Sequence, residues 1–355
     1  MQIWRYGADR HGVCCYSRTR QLRREKLQVI STKRLLFNAA TFVPGATMLP
    51  PVKRVLARRE LGTGGTDQAR YCYSVWLRHL IFAQVNGLNC APQAVAELGP
   101  GDSLGIGLAS ILSGVDRYYA FDVVAHASAE RNLAVLDELI SLFRARADVP
   151  DGSEFPRVGP TLDDYRFPGK LLTAERLEQA LDPRRLDRIR ESLRNCASGK
   201  SMIQYRAPWN TQGAIEHESL DLVFSQATLE HVDALQDVYR AMYLWLKPGG
   251  YMSHQIDFKC HGSAAEWNGH WTYSDLMWKL VRGKDTWLIN RQPYSTHVRL
   301  TQDSGFRIVG QQCVRKPSNV ARRQLAPKFR ALSDDDLTIT DAFIQAIKPS
   351  GEQRH

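Results

Sequence analysis

The chain of 355 residues contains no apolar run long enough to span a bilayer. Met1–Arg20 carries basic residues with no apolar stretch behind them, which is not the pattern of a secretory leader. CxxC pairs are missing too. The seven cysteines, Cys14, Cys15, Cys72, Cys90, Cys196, Cys260 and Cys313, are odd in number and dispersed. That excludes a disulfide framework and a structural zinc site, and it points to a reducing cytosol. Internal repeats and long low-complexity tracts are also absent, so repeat and fibrous architectures drop out. The composition that remains, with 43% hydrophobic and 24% charged residues, is that of an ordinary globular protein.

Acidic residues are scarce in one region only. Met1–Cys90 holds 15 Lys and Arg against 4 Asp and Glu, whereas the remainder holds 32 against 33. The net charge of +10 is therefore the property of an N-terminal extension. Such a balance suits an anionic partner. A peripheral contact of this extension with an anionic membrane at the inner face is the expected form, and nucleic acid is disfavoured. Met1–Ile30 has no periodicity and reads as loosely attached. Thr32–Arg59 sets apolar patches between basic clusters, with Pro44, Pro50 and Pro51 breaking it. It either lies on lipid or packs its Leu, Phe and Val on the main domain. The division expected is residues 1–60 as extension, 61–93 as linker and packing helix, and 94–349 as the main domain, with 148–200 as an insertion or lid.

From Ala94 onward, strand and helix patterns alternate. Strands are expected at Ala94–Leu98, Arg117–Val124, Met202–Ala207, Ser219–Phe224, Tyr251–Phe258, Phe306–Val314 and Ala342–Lys348. Helices are expected at Ala69–Asn86, Ser103–Leu112, His126–Arg146, Thr173–Leu181, Pro183–Cys196, Asp233–Leu246 and Thr296–Ser304. The Lys247-Pro248-Gly249-Gly250 run reads as a helix stop. Alternation of this kind implies a doubly wound, mostly parallel α/β sheet covered on both faces.

The chemistry concentrates at Glu97-Leu98-Gly99-Pro100-Gly101-Asp102-Ser103-Leu104-Gly105, a strand-to-helix turn. Gly99 and Gly101 allow a ligand close to the backbone, and the helix start presents free N–H groups. Read as a dinucleotide fingerprint, the third glycine falls on Leu104, which counts against a pyrophosphate cradle and an NAD-dependent oxidoreductase. Glu97 suits a ligand with a positive amino group. Asp122, 21 residues after Gly101, can accept both hydroxyls of a ribose, or else cap the segment after it.

Ala94–Gly105, Asp122, Asp221–Val232 (DLVFSQATLEHV) and Leu246–Gly250 (LKPGG) resemble, in order and spacing, the motifs of class I S-adenosylmethionine-dependent methyltransferases. Tyr71–Leu80, the glycine loop and His254–Trp271 further resemble a bacterial group linked to surface-polysaccharide genes. The resemblance implies a seven-stranded Rossmann-like fold with S-adenosylmethionine as cofactor. It also implies an acceptor that is a small molecule, most specifically a saccharide or glycolipid hydroxyl. RNA or another small molecule is the alternative. By the same resemblance Glu97, Gly99, Pro100 and Gly101 hold the methionine part, Asp122 the ribose, Ala207-Pro208-Trp209 the adenine edge, and Ser225 and Gln226 the region of the sulfonium. Trp209 could equally be core.

A hydroxyl acceptor needs a base, and histidine suits neutral pH. Glu230, His231, His254, Asp257, His261 and His270 follow the fourth and fifth strands, where such sheets bind ligands. His254 and Asp257 fall on opposite strand faces. His261 is the favoured base, Asp257 the substrate or orienting residue, and His231 a third catalytic candidate. A metal is not expected: where related enzymes carry an ExxEH cluster and a further His, Ala227 and Ala234 stand here. Trp267, His270, Trp271, Trp278, Trp287 and Tyr294 could form a ring-binding wall or a core.

Overall fold

The computed structural model describes residues 37–39, 41–43, 65–196, 201–209, 213, 215–284 and 288–350. Seven strands form one sheet: β1 Ala94–Leu98, β2 Arg117–Phe121, β3 Ile203–Arg206, β4 Leu220–Gln226, β5 Leu246–Asp257, β6 Arg307–Arg315 and β7 Ile339–Ile347. Their order is β3-β2-β1-β4-β5-β7-β6. All neighbours are parallel except β7, which runs antiparallel to both β5 and β6. This is the class I methyltransferase arrangement, and the doubly wound expectation holds.

Helices that lie wholly within the described residues are α1 Ala69–Val85, α2 Gly105–Leu112, α3 Ala129–Arg144, α4 Ala174–Ala180, α5 Pro183–Arg194, α6 Leu235–Trp245, α7 Asp275–Arg282 and α8 Tyr294–Asp303. None of the described helices is long and apolar enough to cross a membrane. Every residue of β1 is buried, because β1 is central and both its faces are covered. On one face Val95, Tyr118, Leu222 and Phe224 pack under α1, α2 and α3. On the other, Ala96, Leu98, Val223, Met252 and Ile256 pack under α6 with Leu300 of α8. β1 lies between β2 and β4, so the chain leaves it in opposite directions on the two sides. The C-terminal ends of β1 and β4 thus border the crevice where open α/β sheets bind ligands.

The glycines of α2 serve packing. A Cβ on Gly107 would sit 1.9 Å from the Tyr118 ring, which is itself fully buried. Gly107→Ala should therefore cost about 3 kcal/mol, read as a lowered denaturation midpoint.

The stretch after α3 is bedded into the α1 face. Val149, Val158, Leu162, Leu177 and Ile189 join its core. The buried Arg78 donates to the carbonyls of Pro150, Val158 and Pro160. Asp182 caps α5 with Pro183 at its start, as the sequence suggests. Of the basic segment Thr32–Arg59, residues 37–39 and 41–43 are described. They pack on α7, where Asn38 donates to the Val281 carbonyl at 2.5 Å and Thr41 accepts from the Lys284 N–H. The Met1–Ile30 reading lies outside the described residues.

Boundaries are corrected at β2, which stops at Phe121 and not at Val124, and after α6. α6 ends at Trp245, and Leu246–Gly250 is the first part of β5. The proline and glycines do stop the helix. Gly249, at φ +81°, still bonds Lys348 through its N–H, and Lys247 pairs with Asp221 at 2.7 Å, so the segment is held as strand.

Candidate active site

The turn after β1 is fixed from several sides. Gly99 and Gly101 adopt φ +69° and +77°, a left-handed geometry that glycine takes without strain. The Gly99 N–H bonds the Phe121 carbonyl at 2.8 Å, joining the turn to β2. The Ser103 N–H donates to Thr66, Arg131 donates to the Asp102 carbonyl, and the Leu104 N–H donates to Asn132. Leu104, at the position of a third glycine, is fully buried. Pro100 sits between the two left-handed glycines and is also buried.

Asp122 closes the far side of this turn. It is 8% exposed and accepts the Val123 N–H at 2.7 Å. Burial raises its carboxyl above the ordinary range, opposed by the main-chain N–H donors of Val123, Val124 and Gly101. The structure thus brings Gly101 and Asp122 together. Trp209 donates its main-chain N–H to the Asp122 carbonyl oxygen, while its ring packs 5.1 Å from Phe121 and 5.9 Å from Trp245.

Glu97, the next-to-last residue of β1, is buried beneath the turn. It is 1% exposed and receives the Tyr118 hydroxyl at 2.5 Å. Burial raises it to about 8, against the lowering effect of that hydrogen bond. The pH consequence has a definite sign. A carboxyl whose folded value is raised contributes its stability at low pH and loses it as pH rises towards 8. Without ligand, the Glu97 contribution should be lost between about pH 5 and 8, and it shows as a net decline above about pH 6.5, because the neutral His231 and His270 contribute in the opposite sense at lower pH. Glu97→Gln, with no proton to lose, should flatten that decline in a series of thermal melts.

Ser225 and Gln226 point to opposite faces of the sheet. The Ser225 hydroxyl is fully buried and bonded to His254 Nδ1 at 2.7 Å, on the α6 and α8 side. Gln226 reaches the α1 side, where its amide donates to Gln255 at 2.5 Å. Its Oε1 is buried without a partner. Gln255 also accepts the Gly159 N–H, so the turn at 157–160 borders the same end of β4 and β5.

Beyond β5 the predicted catalytic residues converge. His261 Nε2 lies 3.3 Å from Asp257 Oδ2, and the His231 and His261 rings are 5.2 Å apart. Lys259 Nζ lies 3.0 Å from Asp257 and also bonds Asp341. Burial pushes Asp257 up, but the hydrogen bond with His261 and the Lys259 charge prevail and hold it below the ordinary carboxylate range. His231 and His270 are driven down to about 3, chiefly by burial, and are neutral at working pH. Glu230 is raised well above its usual value by burial and by Asp257. His254 belongs to the Ser225 pair on the other face. His261 is at φ +48°, Ala227 at +50° and Arg291 at +67°. Such non-glycine geometry costs about 1 kcal/mol or more each and gathers at functional sites. Among the described residues no three His, Cys, Asp or Glu side chains are grouped to hold a metal.

The ring-binding wall is not what the aromatics form. Trp267 and Trp271 are buried with Leu325, Ala326 and Phe329, and Trp278 with Val281, Leu288 and Ile289. Trp287 lies outside the described residues. These rings serve small cores under the chain beyond β5. Lys259 and Gln255 were missed from the sequence. Asp257 stands directly opposite Asp341 on β7, and a cation between two facing carboxylates is visible only once that pairing is known.

A sequence profile described as "Methyltransferase domain" matches residues 181–253, from α5 into β5. No curated protein matches. Among solved structures, the chain is similar to an S-adenosylmethionine-dependent methyltransferase from Mesorhizobium loti, at 12% identity over 72% of this chain and 91% of that one (TM-score 0.36). It is also similar to phosphoethanolamine N-methyltransferase 2 of Haemonchus contortus in complex with S-adenosyl-L-methionine, at 14% identity over 78% and 53% (TM-score 0.38). The [4+2]-cyclase SpnF is a third, at 10% identity over 77% and 80% (TM-score 0.38). At these levels they speak to neither chemistry nor substrate. The profile match, on a sheet of this order, defines the class: the chain is a methyltransferase enzyme that takes S-adenosylmethionine as its methyl donor. The residues present fit that donor, with two left-handed glycines, the Asp122 carboxylate and the unpartnered Gln226 oxygen at the C-terminal ends of the adjoining strands β1, β2 and β4.

Proposed function

We propose that this enzyme methylates a hydroxyl of a saccharide or glycolipid, with His261 as base and Asp257 as the residue that orients it. The observation that carries this is the Asp257–His261 pair at the C-terminal end of β5. S-adenosylmethionine supplies an electrophilic methyl group and leaves as a neutral thioether. The chain's own work is positioning and proton removal. The acceptor oxygen forms its new bond to the methyl carbon as the carbon–sulfur bond breaks, and the hydroxyl proton passes to His261. Asp257, kept ionised, fixes the ring and stabilises its charged form. His231, held neutral beside it, does not compete for the proton.

On the donor side, Gly99, Pro100, Gly101 and Glu97 hold the methionine part, Asp122 the ribose, and Trp209 the adenine edge. Gln226 lies beside the sulfonium; Ser225, whose hydroxyl is engaged by His254, contributes there through its main chain. The saccharide is favoured by the resemblance of Tyr71–Leu80, the glycine loop and His254–Trp271 to the polysaccharide-linked group. The basic extension adds peripheral attraction to an anionic membrane. The test is methyl transfer from labelled donor into fractionated cell extract. Label in the glycan and glycolipid fraction is expected; label confined to RNA or protein would overturn the reading.

A further inference from the structure

The exposed large apolar side chains are unevenly placed. Of the nine described, Phe42 (37% exposed), Val43 (57%), Leu276 (72%) and Met277 (40%) lie on two elements that pack together. The other five, Val85, Val123, Val124, Leu244 and Val314, are scattered over the molecule. α7 turns Trp278 and Val281 inward, which leaves Leu276 and Met277 outside. Residues 37–39 and 41–43 are fastened to it by Asn38 on the Val281 carbonyl and Thr41 on the Lys284 N–H. Lys279 Nζ stands 5.8 Å from the centre of the Phe42 ring. The two packed elements therefore form an edge on which both expose apolar side chains.

Cations surround it. Arg282 is paired with Asp233 at 2.7 Å, and Lys328 with Asp275. Lys279 and Lys284 have no carboxylate partner among the described residues. A shallow cleft of about 380 Å³ opens among these groups, between Phe42 and Arg291. The edge also adjoins the catalytic cluster, since Asp233 comes two residues after His231 and the Arg282 charge bears on His231.

We propose that Phe42, Val43 and the outer face of α7 form the surface by which the enzyme docks on an anionic bilayer, an inference that rests on the peripheral-membrane reading of the proposed function. Exposed Leu, Met, Phe and Val beside lysines is the chemistry of an interfacial helix. The apolar tips enter the acyl boundary while the ammonium groups meet anionic headgroups. A second copy is disfavoured by charge, because Lys279, Arg282, Lys284, Arg291 and Lys328 outnumber Asp233 and Asp275 on this face and a two-fold contact would bring two such faces together. Aliphatic tips add nothing to binding of a nucleic acid. Docked this way, the mouth beyond β5 lies next to the lipid surface, where a lipid-linked acceptor is presented.

The test is cosedimentation of the full chain with phosphatidylcholine vesicles holding about one-third phosphatidylglycerol. Three proteins are compared: wild type, the double variant Leu276→Ser with Met277→Ser, and an extension variant with Arg18, Arg20, Arg23 and Arg24 changed to Gln. S-adenosylmethionine affinity and melting temperature report that each is folded. The expected result is binding by the wild type and a loss of about tenfold in the double variant, with donor affinity unchanged. Equal binding by the double variant overturns the proposal. If the extension variant alone loses binding, the extension suffices and the peripheral reading survives without this surface. If the wild type ignores the vesicles, both fall. A double variant that instead converts a dimer to a monomer assigns the edge to a second copy and also overturns the proposal.

Discussion

Replacing Asp122 by Ala should weaken S-adenosylmethionine binding by about 10- to 100-fold while leaving the chain folded. The range comes from removing hydrogen bonds from a charged acceptor, about 1.5–3 kcal/mol. Asp122 directly follows β2 across from the glycine turn, and the Gly101 N–H is aimed at it. The substitution removes no apolar core atom, and the local N–H groups of Val123 and Val124 lie near the surface. A calorimetric titration of donor with wild type and variant reads the effect directly. Unchanged affinity would remove the ribose role from Asp122. Asp122→Asn should be intermediate, since it keeps an acceptor without the charge.

Replacing His261 by Ala should lower kcat by about 10²- to 10⁴-fold, the usual contribution of a positioned base, and leave donor affinity unaltered. The His261 side chain is 23% exposed and so open to an acceptor. His270 is buried and His231 part-buried, and both are held neutral, so neither replaces it. Asp257→Asn should act in the same direction with a smaller effect, because the ring stays but loses its charged partner. If His261→Ala turned over normally, the acceptor would need no base at this position, as a nucleophile that is already ionised would not.

The two predictions draw on parts of the chain that were unequally legible in the sequence. β1 was read to the residue, Ala94–Leu98, because a short apolar run bounded by Pro92 and the glycine turn has no competing pattern. α5 was equally plain, with Asp182 and Pro183 marking its start. At Leu246–Gly250 the local signal misled. Proline and glycine announce a helix stop, but the register with β4 at Leu220 and the contacts of Lys348, just past β7, take the same residues into a strand. Local chemistry ends the helix, and partners distant in sequence set the conformation of the residues after it.

The site shows the same division. Asp257, His261 and His231 could be placed near one another because they come after two strands whose adjacency the motif order implies. The partners that set their protonation could not, since Lys259 and Asp341 meet through the antiparallel pairing of β5 with β7. Side-chain direction was hidden as well. Ser225 and Gln226 are sequence neighbours, yet the pleat sends one to His254 and the other to Gln255. The tryptophans after β5 are composition-neutral between a binding wall and a core. Their burial against Leu325, Phe329 and Ile289 depends on segments far along the chain.

The central claim, methyl transfer from S-adenosylmethionine to a hydroxyl at the Asp257–His261 pair, is tested most directly by identifying the atom that receives the label. The purified enzyme is incubated with isotopically labelled donor and an envelope glycan fraction, and the product is analysed by mass spectrometry after hydrolysis. The predicted result is an ether-linked methyl group on a sugar hydroxyl, formed by the wild type and nearly absent with His261→Ala. A methyl group on nitrogen or carbon, or an O-methyl sugar formed equally well by His261→Ala, would contradict the account.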